Sequence, residues 1–164
     1  MYVSDNTPLL FKDFFSLGQS LSDSNRWLKL AEMIPWEKID SVYSQNFSPN
    51  SGRYALDSRL VCGLFIVKYL KNLTDEETIR EYEENPYIQA FCGKIHFSKE
   101  SEFSLSMLSE RRKRLGKDFW SFWRSQIIPI LEEQKVFKIY KNKKEESCFI
   151  CSFLDKIIKK ISGK

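Results

Sequence analysis

Four consecutive basic residues, Arg111, Arg112, Lys113 and Arg114, follow closely on Ser106 and Ser109. Hydroxyl, ammonium and guanidinium groups are the side chains that contact phosphate oxygens, and arginine also reads guanine edges. The chemistry open to this stretch is therefore polyanion binding. Helical neighbours lie three and four residues apart, so four in a row cannot all face one groove. Arg111 and Arg114 are expected on one side, with Lys113 or Arg112 on another. The plainer reading is a solvated basic turn favoured by the negative end of the helix dipole. Arg53, in a loop, is a further candidate for a phosphate, weighed evenly against a local carboxylate partner.

Other chemistries find less support. His96 is the single histidine and stands without a carboxylate or cysteine at ligand spacing, so a surface or half-buried role outweighs a metal ligand or general base. Cys148 and Cys151 form one CxxC, and a structural zinc site needs a second pair of ligands that the spacing does not supply. There is no Gly-rich phosphate loop, nucleophile elbow or Cys/His pairing. No metal and no small-molecule substrate is expected. Asp75, Glu76 and Glu77 read as a first helical turn favoured by the dipole.

The elements that must position the basic run lie between Tyr54 and Gly116. A nearly all-apolar helix, Arg59 to Lys71, begins after Asp57-Ser58, both able to accept from free N–H groups. Its apolar residues cover most of its circumference, which places it at the centre of the core. Thr74 with Glu77 three residues on predicts a capping box and a helix from Asp75 to about Glu84, stopped at Asn85-Pro86. A short helix, Tyr87 to Phe91, ends at Gly93. A fourth runs from near Ser104 to Gly116, with Leu105, Leu108 and Leu115 inward and the four basic residues mostly outward. Helix, turn, helix, short helix and basic helix is the layout of a helical DNA-binding module.

Here the residues resemble a known family. The segments RLVCGLFIVKYLKNLTDEETIREYEENPYIQAFCG and SLSMLSERRKRLG, with LKLAEMIPWEKID before them, resemble the N-terminal domain of InsH-type bacterial transposases, the insertion-sequence-five group. The resemblance spans roughly Leu28 to Leu131, with several motifs in order and at similar separations. It implies a helical domain that binds the terminal inverted repeats of a mobile element, with double-stranded DNA as partner. In complete members a ribonuclease-H-like domain with three metal-binding carboxylates and Mg2+ does the cutting. The chain stops or diverges before such a domain, so the expectation is a truncated, non-catalytic fragment. Two departures stand out. Tyr54 replaces the proline usual after Gly-Arg, and FSKESEFSLSML lacks the family's proline and aspartate.

Composition bounds the rest. A chain of 164 residues with 42% hydrophobic and 15% aromatic residues can bury one real core, which supports a folded protein rather than disorder. The net charge of +4 is modest, but 72–90 is acidic whereas 111–124 and 138–164 are basic. Scattered cysteines suggest a reducing, cytoplasmic setting, and no run is long enough for a membrane span. The expected fold is all-α: a small helical bundle with a helix-turn-helix-like arrangement. Its expected parts are a flexible N-terminal extension at 1–25, a DNA-binding domain at 26–136 and a lysine-rich, degenerate tail at 137–164. Arg26 to Met33 and Trp36 to Tyr43 read as helices broken by Pro35. Asp118 to Lys135 reads as one long helix flawed at Pro129, with Phe119, Trp120, Phe122, Trp123, Ile127, Ile128, Ile130 and Leu131 apolar. If exposed, that face is a sticky patch. The alternative function follows from it: a fragment that forms a homodimer, or that binds and inhibits a full-length transposase, or a remnant with no role.

Overall fold

Local start and stop residues set the helices. Asn25 accepts a hydrogen bond from Trp27 N–H at 2.8 Å, opening α1, Arg26–Met33. Pro35 stands at the N-cap of α2, Trp36–Ser44. The Trp36 indole donates back to the Ala31 carbonyl at 2.8 Å, filling an acceptor left open at the end of α1. These contacts come from a computed structural model, which describes residues 21–48, 54–98 and 103–133. Expectations for residues 1–20, for Arg53 and for the tail with Cys148 and Cys151 lie outside the described residues.

The central helix, α3, is Ser58–Lys71, capped by the Asp57 side chain accepting from Leu60 N–H at 3.1 Å. It is buried on every side: each residue from Leu60 to Lys68 and Leu70 is inside. Full burial of a Leu, Ile, Val or Phe side chain contributes about 1.5–3 kcal/mol, so this helix anchors the core as its apolar pattern predicts. Asn72 ends it in the left-handed region at φ 54°, which asparagine tolerates better than most residues. Close packing explains Gly63, where a Cβ would meet Cys92 Sγ at 2.8 Å.

α4, Asp75–Glu84, starts on the expected capping box: Thr74 N–H donates to Glu77 Oε2 at 2.7 Å, and Glu77 N–H donates to Thr74 Oγ1 at 3.2 Å. Asn85 both ends α4 and caps α5, Pro86–Phe91, with proline at the first helical position. α1 packs on α5 through Trp27 and Phe91, with ring centroids 5.3 Å apart.

α6 is Met107–Arg114, shorter at its start than the spacing suggests. Leu105 therefore lies before the helix and is 55% exposed rather than inward, while Leu108 and Leu115 are buried as expected. The helical rod after Gly116 is also interrupted. α7, Lys117–Phe122, passes into a π-helical turn, Trp123–Ile127, and then α8, Ile128–Glu133. Pro129 has no N–H and its ring crowds the preceding turn, and the wider π turn just before it takes up that mismatch.

The aromatic face of this rod is not a surface patch. Phe119, Trp120, Trp123, Ile127 and Leu131 are fully inside, and Phe65 of α3 meets Trp120 and Trp123 at centroid distances of 5.7 and 6.1 Å. The described residues are thus all-α and contain no strand, with α3 enclosed by the other helices.

Candidate functional site

The basic run of α6 is split by its own helical geometry. About 100° separates successive residues, so four neighbours cannot share an environment. Arg112 points inward and is only 5% exposed. Its guanidinium forks onto Asp75, with Nη1 donating to Oδ1 at 2.8 Å and Nη2 to Oδ2. Lys68 Nζ reaches the same carboxylate at 3.1 Å and also donates to the Leu73 carbonyl at 2.6 Å. Asp75 is the first residue of α4, so this cluster ties α3, α4 and α6 together. Burial by itself would raise the Asp75 pKa, but the hydrogen bonds from Arg112 and Lys68 outweigh it and hold the carboxyl below its usual range. The expectation that Arg112 faces outward is corrected: its charge is spent inside the protein, because a buried guanidinium needs an anion.

Arg111 and Arg114 do share a side, as their spacing requires. Both guanidinium groups lie over the ring of Phe47, with Cζ 5.7 Å and 4.6 Å from its centroid. Arg111 is half-buried and Arg114 exposed. Arg111 Nε is buried without a hydrogen-bond partner, and among the described residues neither side chain has an ion pair. Lys113 is exposed on the outer face of α6. The two serines are engaged locally. Ser106 Oγ donates to Glu110 Oε1 at 2.6 Å, and Ser109 Oγ donates to the Ser106 carbonyl at 2.9 Å. Each keeps acceptor capacity, but neither hydroxyl proton is aimed outward, so the serines sit beside the basic end without adding a free donor.

Sequence reasoning missed Phe47, which is buried just past α2 and packed at a tilt against Tyr43 with ring centroids 4.8 Å apart. No local signal links residue 47 to residues 111 and 114. Asn46 makes the link. Its Oδ1 accepts from Gly116 N–H at 2.7 Å, and its Nδ2 donates to the Val42 and Tyr43 carbonyls at 2.9 and 3.2 Å. One amide thus caps the end of α2 and holds the end of α6.

His96 is exposed. Cys62 and Cys92 are buried thiols whose pKa values burial pushes far up, which keeps them protonated and poor nucleophiles. Among the described residues no three His, Cys, Asp or Glu side chains gather where they would hold a metal ion. No helix among them is long and apolar enough to cross a membrane.

A family model described as "Transposase domain (DUF772)" matches residues 15–114, which takes in every helix from α1 to the last residue of α6. A curated relative, "Uncharacterized protein ORF8 in nfe locus" of Rhizobium meliloti, is 36% identical over 107 residues, 65% of this chain and 50% of that protein. The match therefore spans about half the length of that relative. No solved structure matches the chain.

Proposed function

The chain belongs to the transposase domain (DUF772) family, and we propose that its helical domain binds duplex DNA at the terminal inverted repeats of an insertion element during transposition. The observation that carries this reading is the end of α6. Arg111 and Arg114 are held side by side on Phe47 with no carboxylate partner among the described residues, next to an exposed Lys113. Cations without internal partners, gathered at one place, are what a phosphate backbone rewards. In this reading α4, α5 and α6 form the helix-turn-helix-like unit, and α6 presents the charge. Arg112 supports it from within, through Asp75.

The role of this domain is recognition. Strand cutting by divalent metal ions belongs, on the family resemblance, to a ribonuclease-H-like domain rather than to these helices. A partner-binding role through 119–131 loses its motive, because those apolar side chains already fill the core.

The test is fluorescence anisotropy of the full chain against two duplexes, the terminal repeat of the nearest intact element and a scrambled control, each at two salt concentrations. Salt-sensitive binding that prefers the repeat is expected. Equal binding to both that vanishes with salt would reduce the site to a basic surface and make the chain a transposase remnant.

A further inference from the structure

Phe47 is the least expected member of the site, and its position suggests what the two arginines grip. Its ring supports both guanidinium groups, within 6 Å of each by the distances above. The ring is held in place: Phe47 is buried, Tyr43 packs against it at a tilt, and the neighbouring Asn46 side chain is bonded at three places. Two like charges over one ring repel each other, and a cation–π contact near the surface returns little to offset that. The buried Arg111 Nε goes without a partner. An arrangement of this kind is costly in the free protein and favourable when an anion sits against both cations.

The geometry also selects which part of a duplex supplies that anion. Base edges lie on the floor of a major groove about 8.5 Å deep, so reading them needs an arginine extended away from the protein. Arg111 is laid back against Phe47 with its Nε shielded, which shortens its reach. Backbone phosphates stand at the duplex surface and come to such a side chain. A stacked guanidinium has also lost most of its torsional freedom before binding, so less is lost on contact.

Resting on the reading of this domain as DNA-binding, we propose that Phe47 is a positioning residue. It holds Arg111 and Arg114 as a rigid grip on the phosphodiester backbone, so that this end of the molecule sets register while bases are read elsewhere.

The experiment is the anisotropy assay with the full chain across a salt series, on the terminal-repeat and scrambled duplexes. It uses the wild type, F47L, F47Y, R114A and F47L/R114A, with folding of each checked by circular dichroism. F47L is expected to weaken both duplexes alike, by about tenfold, and to reduce the slope of log affinity against log salt by about 1, the signature of a lost phosphate contact. F47Y keeps the ring and is expected to match the wild type. R114A should cost much less in the F47L background than alone, since the ring acts through the arginine. If F47L does not fold, F47M fills the space without an aromatic face and carries the same expectations. An unchanged slope, a loss confined to the terminal repeat, or additive effects of F47L and R114A would overturn the proposal while leaving DNA binding intact. A wild type that binds neither duplex would overturn the functional reading itself, and this inference with it.

Discussion

The first turn of α4 and the last turn of α6 carry opposite charges at similar density, yet the structure uses them differently. Asp75, Glu76 and Glu77 are all satisfied within the protein. Asp75 takes Arg112 and Lys68, Glu76 pairs with Arg80 at 2.5 Å, and Glu77 closes the capping box. In the basic turn only Arg112 is spent in this way. Arg111 and Arg114 rest on an aromatic ring instead, and they find no carboxylate among the described residues. The comparison teaches that charge density does not mark a binding surface. The candidate for one is charge that the fold has positioned but not neutralised.

The comparison breaks most sharply at Arg112. Arg112→Ala leaves Asp75 with Lys68 alone in a partly buried place, and the expected loss is about 2 kcal/mol, read as a lower urea midpoint. A loss below about 0.5 kcal/mol, the usual limit for surface substitutions, would mean that Arg112 is a surface charge after all. Arg114→Ala, two residues further along α6, is expected to stay within that surface limit while weakening DNA binding. Thr74→Ala tests the acidic turn, where removing an N-cap costs about 1 kcal/mol, and it should leave the salt dependence of DNA binding unchanged. The smallest effect is acid titration. Because folded Asp75 titrates below an unfolded aspartate, near pH 3.9, its pairing stabilises the fold above that pH and is lost as pH falls through the lower folded value. The stability gap between wild type and R112A should therefore narrow in acid, and a gap constant from pH 7 to pH 2.5 would exclude Asp75 as the partner that matters.

Much of the fold was legible in the sequence because its signals are short-ranged. The capping box at Thr74, the stop at Asn85-Pro86, the break at Pro35 and the apolar circumference of α3 each act within a turn or two, and each stands in the structure as read. The start of α6 was misread. Leu105 matches the apolar spacing, but it lies in the turn closed by Met107 N–H on the Ser104 carbonyl, before the helix begins. The π turn was visible only as a flaw at Pro129, since a missing N–H does not say how the backbone responds. The division of labour among the basic residues was the least legible. Arg112 is turned inward by Asp75, 37 residues away, and the arginine pair is held by a ring on another helix's end. Local sequence carries spacing around a helix but not the identity of what packs against it.

The Asn46 amide joins Gly116 across 70 residues of chain, and this has a consequence for the order of assembly. Closing so long a loop is entropically expensive and rewarded late, so the ring and the basic helix end meet only when the rest of the bundle is in place. A peptide covering 104–116 retains every charge of α6 but has no Phe47 to rest them on. The arginine grip is therefore a property of the finished fold, absent from nascent or partly opened chains. Hydrogen exchange should show it: the exposed Gly116 amide is expected to exchange by local opening, well ahead of the α3 amides, and exchange as slow as theirs would contradict late docking.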